Sequence, residues 1–136
     1  MTSRRTFVQG GAAMNWATAN NTPFARYKHF THEGGISTPL IAHWPAGIPA
    51  VRNGAWEKQP GHVIDVMPTI VEIVGAKYPA KFNGGEIIPM QGVSLVPAFD
   101  GRSLARRTPI FWEHEGNKAV REGKWKLVME WCGWSN

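Results

Sequence analysis

The strongest apolar run in this chain covers 63–74, where Val66, Met67, Ile70, Val71, Ile73 and Val74 recur with helical spacing. Asp65 is placed to cap that helix, Pro68 stands in its first turn, and Gly75 follows as a stop. Its apolar positions take up most of the circumference, so it is expected to pack on more than one side. Upstream, Pro39-Leu40-Ile41-Ala42-His43-Trp44, closed by Pro45, reads as a short strand buried on both faces. The last third alternates. Three consecutive strands are expected over 109–112, 117–121 and 124–129, with turns at Glu115-Gly116-Asn117 and Arg121-Glu122-Gly123. They form an antiparallel meander, a small sheet spanning about 107–130.

Between these elements the pattern breaks. Asn20-Asn21-Thr22-Pro23 is a turn, and 27–33 runs into Gly34-Gly35, a pair that permits positive φ and ends regular structure. Residues 45–61 and 76–92 are rich in Gly and Pro and read as surface loop, and 94–99 as a helical turn before Asp100-Gly101. The fold class is therefore α+β: one strand, one buried helix, then the small antiparallel sheet. Residues 1–14 stand apart. Ser3-Arg4-Arg5-Thr6-Phe7 resembles a twin-arginine export signal, and the competing reading is a disordered basic start. A working signal implies a periplasmic or exported protein; otherwise the expected location is cytoplasmic.

Composition narrows the picture. The chain has 136 residues, enough for one domain, 43% of them hydrophobic and 18% charged, so a folded core is expected. No stretch reaches the roughly 20 apolar residues of a membrane span. Lys and Arg exceed Asp and Glu by 15 to 10, yet they are scattered in ones and twos. A solvated basic face fits better than nucleic-acid binding. Only Asp65 and Asp100 are aspartates, too few for the converging oxygens that calcium needs. Cys132 is the sole cysteine, which excludes an internal disulfide and a Cys-based zinc site.

Candidate chemistry is sparse. His29-Phe30-Thr31-His32-Glu33 puts two imidazoles three residues apart, but Gly34-Gly35 follows at once, and a polar loop near a site fits better than a zinc pair. No Gly-x-Ser-x-Gly elbow occurs, so nucleophilic catalysis by this chain alone has almost no support. The seven tryptophans read as core and edge-covering residues of the small sheet.

Taken in order, several blocks resemble the C-terminal part of type I, formylglycine-dependent sulfatases, in particular bacterial arylsulfatases. They are Asn21-Thr22-Pro23-Phe24, the run from Tyr27-Lys28-His29 through Glu33-Gly34-Gly35 to Trp44-Pro45, and His62-Val63-Ile64-Asp65-Val66-Met67-Pro68-Thr69. Gln91-Gly92-Val93-Ser94-Leu95, Phe111-Trp112-Glu113-His114-Glu115-Gly116-Asn117 and Val120-Arg121-Glu122-Gly123-Lys124-Trp125-Lys126-Leu127-Val128 continue the series. The likeness covers about residues 15–130 and makes 15–136 a sulfatase C-terminal fragment. It implies the α/β alkaline-phosphatase-like sulfatase fold with its small antiparallel sheet, sulfuric ester hydrolysis as the activity, and a sulfate ester as the substrate of an intact enzyme.

By that resemblance Lys28 is the catalytic-class residue, binding the sulfate group, and His114 and Glu115 are candidate substrate contacts. Glu33 is expected to pin the Gly34-Gly35 turn. The family's calcium and formylglycine are implied as cofactors, but its Cys/Ser-x-Pro-x-Arg nucleophile motif and its metal-binding aspartates are absent from these residues, and no metal ligand is assigned. The chain alone is expected to be inactive. The alternative is a non-catalytic remnant, or a binding piece that complements a separate catalytic chain.

Overall fold

The structure is a computed structural model that describes residues 13–131. In chain order it contains helix α1 over 13–20, the single turn α2 (Glu33–Ile36), a 3₁₀ turn at Ala50–Arg52 and another at Val63–Asp65. These lead to helix α3 (Val66–Ile73), strands β1 (Lys81–Phe82) and β2 (Gly85–Glu86), helix α4 (Val96–Phe99), and strands β3 (Ile110–His114), β4 (Asn117–Glu122) and β5 (Trp125–Met129). The class is a small mixed α/β one with two antiparallel sheets, β1-β2 and β3-β4-β5. Among the described residues no helix is long and apolar enough to cross a membrane. The twin-arginine-like segment and Cys132 lie outside the described residues.

Two units are distinguished. One combines the residues up to Leu40 with those from Pro109 onward; the other is Ile41–Thr108. In the first, the expected meander forms in full register, with Phe111 opposite Val120, Val120 opposite Leu127 and Glu113 opposite Lys118. Two-residue loops make the turns. Glu115 and Gly116 both have positive φ, +51° and +81°, as a type I′ turn requires, because only that twist matches the flanking strands. The core of this unit rests on Ile110, 2% exposed, and Ala119. Truncating Ile110 to Ala removes apolar contacts worth about 2–5 kcal/mol.

In the second unit, α3 is held by polar side chains. The Asp65 carboxylate, fully buried, accepts from the backbone N–H of His62 at 2.7 Å and of Val93 at 2.9 Å, and pairs with the Arg106 guanidinium. The Thr69 hydroxyl donates to the Asp65 carbonyl at 2.6 Å and accepts from Leu95 N–H at 2.8 Å. These bonds tie the start of α3 to the 93–95 segment that enters α4.

Several expectations need correction. The 39–44 segment forms no strand: it is irregular, with Leu40 70% and Ile41 90% exposed, and among the described residues no neighbouring strand supplies the ladder that a doubly buried strand requires. The 63–74 helix is a 3₁₀ turn followed by α3, and Asp65 makes no side-chain cap on α3. Its carboxylate turns back to His62 in a capping box, because a buried charge is held only where Arg106 and two N–H groups can meet it. The helix is not wrapped on several sides; Val66, Met67, Ile70 and Ile73 are 43%, 51%, 48% and 40% exposed.

Gly34 and Gly35 do not end the helical turn but lie within it, and neither has positive φ. A Cβ at Gly34 would collide with the Ala25 and Arg26 carbonyls, and one at Gly35 with the Phe30 carbonyl, so the pair is needed for close backbone approach. The 76–92 loop contains the β1-β2 hairpin, turning at Asn83-Gly84. Trp125 and Trp131 are not core residues of the sheet, being 73% and 64% exposed, while Trp112 in β3 is half-buried.

Candidate functional site

The candidate site is built on the 26–33 segment and the tip of the β3-β4 hairpin. Two buried polar side chains join them. Thr31, 1% exposed, donates its hydroxyl to the Lys118 carbonyl at 3.0 Å. Asn117 donates from Nδ2 to the His29 carbonyl at 2.8 Å, while its Oδ1 accepts from Trp131 N–H at 3.0 Å. Each such bond contributes about 1 kcal/mol net, and losing one partner leaves a buried group unpaired at a cost of about 1–3 kcal/mol. The backbone at His29 is therefore fixed relative to the hairpin.

That placement carries the side chain of His29 to Glu115. Its Nδ1 lies 2.7 Å from Glu115 Oε2, and His114 Nε2 lies 3.8 Å from Glu115 Oε1. The two imidazole rings sit 6.0 Å apart, centre to centre, tilted by 37°. The Glu115 carboxyl is held below its ordinary range by the His29 hydrogen bond first; desolvation opposes the shift, and the charges of His29, His114 and Lys28 add to it. Lys28 is exposed, and its ammonium acts on the same carboxylate. The sequence-based candidates His114 and Glu115 thus meet His29 at one exposed face, and Lys28 acts on the same face through its charge.

The adjacent residues turn away from this face. Arg26 pairs with Glu130 at 2.9 Å, and its guanidinium stacks 4.6 Å over the Phe30 ring. His32 Nε2 lies 3.5 Å from the same Glu130, so His29 and His32 serve different partners rather than one cation. Glu33 accepts from Lys126 Nζ at 2.7 Å, with Arg121 3.8 Å away. Burial would raise the Glu33 pKa, but the Lys126 hydrogen bond and the Lys126 and Arg121 charges outweigh it and lower the pKa. Glu33 is thus an anchor to β4 and β5, where the sequence suggested a pin for the glycine pair.

The sequence placed His29 in a polar loop near a site but did not show that it meets Glu115, and it did not single out Asn117 as the positioning side chain. For Asn117 the signal was the Glu115-Gly116-Asn117 turn itself, which marks a hairpin tip but not what leans against it.

No protein-family model matches the chain. Individual proteins do. An uncharacterized sulfatase of Schizosaccharomyces pombe is 30% identical over 116 residues, covering 83% of this chain and 20% of that protein. The N-acetylgalactosamine-6-sulfatase of Canis lupus familiaris is 33% identical over 141 residues, 98% of this chain and 25% of that one. Arylsulfatase D of Homo sapiens is 36% identical over 93 residues, 68% of this chain and 14% of that one. The chain spans a quarter or less of the length of these relatives. With relatives of this kind matched along most of its own length, the chain belongs to the sulfatase family.

Proposed function

We infer that the chain supplies the sulfate-contacting part of an arylsulfatase-like sulfuric ester hydrolase and does not turn over by itself. The observation that carries this reading is the exposed His29–Glu115–His114 cluster, with Lys28 next to His29 in the chain and its charge acting on the same carboxylate. A sulfate ester gathers negative charge on its oxygens as the S–O bond breaks, and a fixed ammonium stabilises that charge. Lys28 fills this role. The imidazoles of His29 and His114 donate to sulfate oxygens or to the leaving oxygen, and the Glu115 carboxylate keeps the His29 ring oriented.

Calcium does not fit the aspartates present. Asp65 is fully engaged with Arg106 and two backbone N–H groups, and Asp100 pairs with Arg102 at 2.8 Å. Cys132 precedes Gly133-Trp134 and lacks the nucleophile motif.

The purified chain, with or without calcium, is expected to show no hydrolysis of an aryl sulfate, while sulfate perturbs the NMR signals of His29 and His114 in the wild type and less so in Lys28→Ala. Turnover that co-purifies with the chain and vanishes in Lys28→Ala overturns the claim of inactivity. Unperturbed histidine signals overturn the sulfate contact. In a complete enzyme carrying this segment, Lys28→Ala is expected to cost roughly 10²–10³ in rate, the range for losing one charge-stabilising donor. A second reading, a binding piece that complements a separate catalytic chain, is favoured by the exposed apolar side of α3.

A further inference from the structure

The three side chains at the hairpin tip have the makeup of a transition-metal site. His29, His114 and Glu115 each offer one ligand atom, and those atoms all lie within 4.8 Å of one another. A tetrahedral zinc ion bound at about 2.0–2.1 Å sets its ligands roughly 3.4 Å apart. His29 Nδ1 lies 2.7 Å from Glu115 Oε2 and His114 Nε2 3.8 Å from Glu115 Oε1, so both imidazoles face one carboxylate at distances near that spacing. Two imidazole nitrogens and one carboxylate are the ligand set of an open zinc site, with a fourth position left for water. Imidazole selects borderline metals over calcium or magnesium.

The backbone gives a second and independent pointer. Glu115 holds the first central position of a type I′ turn at φ +51°, where Asn, Asp or Gly is the favoured occupant and a longer side chain is strained. The glutamate at that position reaches two imidazoles that a shorter residue there would not reach. The His29 backbone, meanwhile, is fixed by the buried Asn117, which preorganises one ligand.

We propose that His29, His114 and Glu115 bind a zinc-class divalent cation at the hairpin tip. Lys28 is the opposing charge, since its ammonium acts on the same carboxylate. Removing that charge strengthens metal binding and weakens sulfate contact, which separates this site from the sulfate reading.

The test is calorimetric titration of the full-length chain with Zn²⁺, paired with the d–d absorption of Co²⁺, in a Cys132→Ser background so that the thiol does not compete. The expected result is one equivalent bound, a tetrahedral Co²⁺ spectrum, and affinity lowered about tenfold or more in His29→Gln and in His114→Gln. Lys28→Gln is expected to bind more tightly. Glu115→Asn is the folding control, because it suits the turn: it raises the melting temperature of the metal-free chain while weakening Zn²⁺. Unchanged Zn²⁺ affinity in His29→Gln and His114→Gln, or no Co²⁺ spectrum at equimolar metal, overturns the site.

Discussion

At the scale of single residues, the side chains that matter most are polar ones in unusual surroundings. His62 is an example. Burial first, and the Arg106 charge with it, lower its pKa from 6.5, while Asp65 opposes the shift. Its Nδ1 accepts from Ile64 N–H at 3.4 Å, which requires that nitrogen to be unprotonated. The unfolded chain therefore binds a proton more readily than the folded one between the two pKa values. Stability rises with pH across that window and is lost as pH falls below about 6.5. Urea midpoints measured from pH 7.5 to 5 should drop for the wild type, with a shallower drop in His62→Gln. Equal slopes would show that another group carries the dependence.

Elements were legible in the sequence to different degrees, and the reasons are physical. The β3-β4-β5 meander was readable because alternation and two-residue turns act locally, and its register follows from them. The 39–44 run was not, since a continuous apolar stretch says nothing of whether a neighbouring strand exists. The role of Asp65 was also hidden, because its partner Arg106 is 41 residues away. Lys28, His114 and Glu115 were named from resemblance, whereas His29 joined them only through the Asn117 bond, which no spacing rule announces. The junction between α3 and the 91–95 segment gives the prediction at this scale. Gly92 has φ +87°, and a Cβ there would lie 2.5 Å from the Ile64 carbonyl oxygen and 2.7 Å from Asp65 Oδ1. Gly92→Ala should cost about 1–3 kcal/mol, read from chemical denaturation, because it adds both backbone strain and a clash with a buried carboxylate.

For the whole molecule, the exposed apolar surface sets solution behaviour. Val66, Met67, Ile70 and Ile73 leave the α3 side open, and Leu40 and Ile41 are exposed as well. Apolar groups in such numbers drive association. Light scattering at micromolar concentration should report species larger than one chain, and Ile70→Lys with Met67→Lys should shift the mass toward the monomer. A wild-type chain that stays monomeric across a hundredfold dilution series would show that this surface does not self-associate.

The site residues also lie far apart along the chain. His29 meets Glu115 across 86 positions, Thr31 meets Lys118 across 87, and Asn117 holds His29 across 88. As the chain emerges from the ribosome, the segment carrying Lys28 and His29 is made before the hairpin and waits for it. Its histidines and lysine spend that interval in an unfinished environment, whereas the 41–108 unit draws its contacts from one continuous stretch and is free to settle first. Long-range closure thus ties the appearance of a binding face to synthesis of the hairpin, so a nascent chain stalled before Asn117 carries every residue of the 26–33 segment without the bonds that Asn117 and Lys118 supply.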